Sequence, residues 1–83
     1  MAVARGGLVL NREKPVGVID SVNTVFTTTK PFITGTLMVY RNGIALSPID
    51  DFTEDSATQF TLVEAPEDDG SYADKLLVTY QIA

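Results

Sequence analysis

Residues 35–53 read GTLMVYRNGIALSPIDDFT, and this stretch decides the fold. Thr36 to Arg41 alternates, with Leu37 and Val39 on one face and Met38 and Tyr40 on the other, the period of two of a pleated strand. Asn42-Gly43 then interrupts the run. Both central residues of a type I′ turn carry positive φ, which asparagine tolerates and glycine adopts freely, so this pair predicts a hairpin reversal. The returning arm, Ile44-Ala45-Leu46, stops at Ser47-Pro48, because proline has no N–H for the ladder and biases its predecessor toward extended geometry.

Outward from the hairpin, short alternating runs recur. Asp51 to Glu54 reads as a short strand or bend with Phe52 inward, Asp55-Ser56-Ala57 as a turn, and Gln59 to Val63 as a strand with Phe60 and Leu62 on one face. Ala65-Pro66-Glu67-Asp68-Asp69-Gly70 is a loop, since proline, glycine and three adjacent acids oppose regular structure. Lys75 to Ile82 is the longest strand, with Leu76, Val78, Tyr80 and Ile82 on one face and Leu77, Thr79 and Gln81 on the other.

Toward the N-terminus, Thr24 to Thr29 is rich in β-branched residues and predicts a strand, with Val25 and Phe26 in the core. Lys30-Pro31 ends it, and Phe32-Ile33 tucks under the sheet. Asp20-Ser21-Val22-Asn23 is a turn whose side-chain oxygens can bond nearby amides, with a single helical turn at Ser21 to Asn23 as an option. Val16 to Asp20 reads as a short strand. Before it, Gly6-Gly7 separates a basic start from Leu8-Val9-Leu10, which can enter a strand. Six or seven short strands, with turn signals roughly every 8–12 residues and no helical stripe, predict an all-β domain. It is expected to be a small antiparallel β-sandwich or partly open barrel over residues 16–83, preceded by an extended N-terminal arm over residues 1–15.

A chain of 83 residues buries only roughly 60–65% of the surface its unfolded form exposes. Disulfides and the usual zinc sites are closed to it, because it has no cysteine and no histidine. Oligomerisation or docking on a larger partner is the remaining route to extra stability. No apolar run approaches the ~20 residues of a membrane span, and the first residues lack a signal peptide's apolar segment. The expectation is a soluble protein made in the cytoplasm.

The net charge of −5 is unevenly spread: residues 1–41 sum to +3 and residues 42–83 to −8. An acidic total argues against nucleic acid, which needs a basic patch. Solvated loops account for most surface charge; the sharper reading is that the basic leading segment meets an acidic surface on a neighbouring copy or partner. The residues for that contact are Arg5, Leu8, Leu10, Arg12 and Lys14.

Catalysis has little to work with. There is no Ser-His pair and no thiolate. Two carboxylates held ~5 Å or ~6.5–9.5 Å apart would suit a glycosidase, yet the eleven acids cluster in turns at Asp50-Asp51, Glu54-Asp55 and Glu67-Asp68-Asp69. The last cluster lacks the alternating spacing of an EF-hand calcium loop. Tyr72, in the loop before the last strand, is the candidate for an exposed ring that stacks on a sugar or fills a partner's pocket, with Asp68 and Asp69 beside it. Tyr80 follows the apolar face and belongs to the core.

As one pattern, Gly17, Asp20, Asn23, Thr24 and Phe26, the VYRNG hairpin at Val39 to Gly43, Pro48, Asp51-Phe52-Thr53, Phe60-Thr61-Leu62, Ala65-Pro66 and Leu77-Val78-Thr79-Tyr80 resemble a small all-β module that recurs in tailed-bacteriophage virion proteins. The resemblance covers about three quarters of the chain. In tail, fibre and baseplate polypeptides such modules have structural and binding roles. The resemblance therefore implies a non-enzymatic virion protein; with neither histidine nor cysteine, the expectation is no cofactor and no metal. Because the module makes up nearly all of this sequence, the expectation is a small multi-copy capsid decoration or cement subunit, docked on other virion proteins through its arm. A homo-oligomer, for instance a trimer, fits that role; nucleic acid and membrane do not. The alternatives are a tail, neck or fibre-associated component, or a host-surface glycan-binding module.

Overall fold

The computed structural model describes residues 9–83. They form seven strands: β1 (Val9–Glu13), β2 (Val25–Thr27), β3 (Met38–Arg41), β4 (Ile44–Ala45), β5 (Phe52–Glu54), β6 (Gln59–Leu62) and β7 (Leu76–Ile82). Two antiparallel sheets result, one in the order β1-β7-β3-β4 and one in the order β2-β6-β5. They face each other without closing into a barrel, so the fold is the sandwich of the two expected architectures.

The hairpin forms where Asn42-Gly43 places it. Asn42 has φ 55° and Gly43 φ 84°, the left-handed pair of a type I′ turn, and Tyr40 and Arg41 pair with Ala45 and Ile44. The alternation also assigns the faces correctly, since Leu37 and Val39 are buried while Met38 is exposed. On β7, Leu76, Val78 and Tyr80 are buried and Ile82 packs partly against them.

These residues meet the inner face of the other sheet. Phe60 stacks on Phe26 at 6.1 Å between ring centroids and meets Phe52 edge-on at 6.3 Å. Phe32 closes the gap by packing on Tyr80 at 5.9 Å. Each buried phenylalanine contributes about 1.5–3 kcal/mol of transfer free energy, and each aromatic pair about 0.5–1.5 kcal/mol more. For so short a chain, this ring cluster is the principal stabilising feature.

Several local expectations are corrected. Val16 to Asp20 is not a strand: only Val16 bridges to Thr27, and Val18 lies exposed. Gly17 bends the chain there, and the ring of Phe26 occupies the space where a Cβ would sit. Ser21 to Asn23 makes no helical turn, because Ser21 has φ 70° and Asp20 Oδ1 accepts hydrogen bonds from the amides of Val22 and Asn23. Val25 faces outward, since its register partner is Thr61 on the outer face of β6. Ile33 is likewise partly exposed, and only Phe32 of that pair enters the core.

Residues 9–13, within the segment read as an arm, pair along their whole length with β7 as a strand of the larger sheet. The buried Tyr80 hydroxyl donates to Glu13 Oε2 at 2.6 Å and accepts from Asn11 Nδ2 at 2.9 Å. Glu13 also accepts from the Thr29 amide and hydroxyl. β1 is thereby tied both to β7 and to the chain leaving β2.

Candidate functional site

Antiparallel register sets which side chains share a surface. Arg12 lies opposite Thr79, and Thr79 opposite Met38, so these three cross the outer face of the four-stranded sheet in one row. Leu10 and Gln81 form the next row, and Leu77, Tyr40 and Ala45 the row on the other side. Thr79 is short, while Arg12 and Met38 are long, so the middle of the face is a trough. One hollow of about 620 Å³ lies among Leu10, Arg12, Met38 and Gln81. A second of about 360 Å³ lies among Arg12, Lys14, Tyr40, Lys75 and Leu77.

The chemistry of this face is apolar and cationic. Leu10 is 73% exposed and Met38 49%, both large for apolar side chains on a sheet. Arg12 lines their hollow, Lys14 and Lys75 line the neighbouring one beside Tyr40 and Leu77, and no strand position on the face is acidic. The sole ion pair among the described residues joins Arg41 to Asp74, and residues 1–8 contain no carboxylate side chain. The three cations therefore have no salt-bridge partner in their own chain. Of the contact residues named from sequence, the fold brings Leu10, Arg12 and Lys14 together here; Arg5 and Leu8 lie outside the described residues. Lys75, Met38 and Leu77 were not read as contact residues; the alternation of Lys75 to Ile82 was the signal for Lys75 and Leu77, and that of Thr36 to Arg41 the signal for Met38 beside Tyr40.

Asp68, Asp69 and Tyr72 sit in the β6–β7 loop. Asp69 Oδ1 accepts the amides of Tyr72 at 2.8 Å and Ser71 at 2.9 Å, which hold its carboxyl below the ordinary carboxylate value. Asp68 Oδ1 accepts from Gly70, and its backbone N–H and C=O both bond the Ser21 hydroxyl. These acids build the loop. Tyr72 remains 56% exposed in this loop.

The most constrained polar group is one that sequence reading passed over. Asp74, only 9% exposed, accepts from Arg41 Nη2 at 2.7 Å, Arg41 Nε at 3.0 Å, the Glu67 amide at 2.9 Å and Asn42 Nδ2 at 2.9 Å. Its carboxyl is lowered to about 2, first by the Glu67 amide, then by Asn42 and by Arg41. Arg41 also donates to the Ala65 carbonyl, so the hairpin tip, the acidic loop and the start of β7 are knotted together. Every bond of this carboxylate is internal, which makes it structural. Among the described residues, no group of three acidic, histidine or cysteine side chains is arranged to hold a metal ion.

Comparison of the chain with protein-family models, with curated proteins and with solved structures found no match.

Proposed function

We propose that this chain is a non-enzymatic structural protein of a tailed-phage virion, a small multi-copy capsid decoration or cement subunit. It docks on neighbouring virion proteins through its N-terminal segment and the sheet face that β1 builds. The observation that carries the reading is the co-location of Leu10, Arg12 and Lys14 with Met38, Tyr40 and Leu77 on one surface of an otherwise acidic chain. Such a surface, with exposed apolar side chains beside cations that lack a partner in their own chain, suits a protein interface. The resemblance to virion modules supplies the setting, a particle assembled in the host cytoplasm; a tail or neck position would use the same surface. A glycan-binding reading draws less support, because Asp68 and Asp69 each commit an oxygen to loop amides.

The test is co-sedimentation of a tagged chain with gradient-purified virions. Wild type is expected in the virion band, and Leu10→Asp, which alters an exposed side chain, is expected to reduce its share at least tenfold. A folded wild-type chain that never enters the band would overturn the proposal.

A further inference from the structure

We propose that the basic sheet face takes the acidic loop of a second copy of this chain, so that copies associate face against loop. This rests on the docking role just assigned to that face, and names its occupant. The argument is one of charge. Arg12, Lys14 and Lys75 have no anionic partner in their own chain, and Glu64, Glu67, Asp68 and Asp69 have no cationic one among the described residues, where the only ion pair is Arg41 with Asp74. Two identical faces packed on each other would bring six cations together with no carboxylate among them, which excludes that arrangement. The complementary surface is present, at equal copy number, on every molecule.

The apolar parts also match. Tyr72 stands 56% exposed beside the acidic run, and the face offers Met38, Tyr40 and Leu77 around its hollows. A tyrosine ring seated there, with carboxylates on the surrounding cations, is the anchor-and-rim pattern of interface hot spots. Applied reciprocally the contact closes a dimer; applied head to tail it generates a ring or filament. Both geometries use the same residues.

The experiment is solution mass by light scattering, at about 20 mM and about 1 M salt, where the screening length shrinks to roughly 3 Å. Wild type is expected at twice the monomer mass or more in low salt, and at monomer mass in high salt. R12E/K14E and E64K/E67K are each expected to be monomeric in low salt, and their equimolar mixture to regain the assembly, because the reversed face now fits the reversed loop. K75E provides an independent second variant, and circular dichroism confirms that each is folded. A monomeric wild type in low salt, or a mixture that stays monomeric, would overturn the inference. Should a monomeric wild type still enter the virion band, the docking role stands with a different occupant; should an assembled one never enter it, the contact stands and the virion role falls.

Discussion

At the scale of single residues, Asp74 shows how much a sheet of this size relies on one carboxylate. Its value falls from the ordinary 3.8 to about 2 because the folded state supplies the Glu67 amide, Asn42 and Arg41 as donors. A depressed carboxyl contributes stability that is fully present above the unfolded value and is lost as pH drops through 3.8 toward about 2. Glu13 acts with the same sign: burial raises its value, but bonds from Thr29, Tyr80 and Asn11 together outweigh that and leave it below 4.5. Urea midpoints measured from pH 7 to pH 2 are therefore expected to be level down to about pH 5 and then to fall. Asp74→Asn is expected to cost about 1–3 kcal/mol at pH 7, with the gap to wild type narrowing toward pH 2. A constant gap across that range would show that the charge of Asp74 is not what stabilises the knot.

Among the elements, two glycines are required for different reasons. Gly43 lies in open space at φ 84°, so Gly43→Ala meets only backbone strain, expected at about 1 kcal/mol. Gly17 is pressed against the ring of Phe26, and Gly17→Ala must displace a side chain of the aromatic cluster, expected at about 2–3 kcal/mol. Thermal unfolding of the two variants should rank them in that order. Only the first requirement was legible in the sequence. A turn is a local event, and Asn42-Gly43 announces its own geometry, whereas the closeness of Gly17 to Phe26 exists only once residue 16 bridges back to residue 27. The same limit explains Val25, whose outward direction is set by its pairing with Thr61 and not by its hydrophobicity.

Across the whole molecule, β1 gives the fold and the candidate site a common foundation. It covers one edge of β7, the central strand of the core, and positions Glu13 under the buried Tyr80 hydroxyl. Deleting residues 1–14 would uncover that edge and orphan the hydroxyl, so the truncated chain is expected to unfold or aggregate at 25 °C. R12E/K14E, which touches only the outer surface, is expected to stay within about 0.5 kcal/mol of wild type by urea denaturation. A truncated chain as stable as wild type would show β1 to be dispensable for folding. Binding through this surface is for that reason tested with point variants.

By itself the sequence determined the class of fold, the hairpin at Asn42-Gly43, the inward phenylalanines and the alternating faces of β7, since each depends on a period of two or on a turn dipeptide. It also placed Leu10, Arg12 and Lys14 on a candidate contact segment. Tertiary structure alone decided that this segment includes a strand of the sheet, that Met38, Tyr40, Lys75 and Leu77 complete its surface, and that Arg41 pairs with Asp74. Those facts join residues from about 30 to 70 positions apart, and no local propensity carries such separations. They follow from which strands pair and in what register, a choice made by burying the aromatic cluster as a whole.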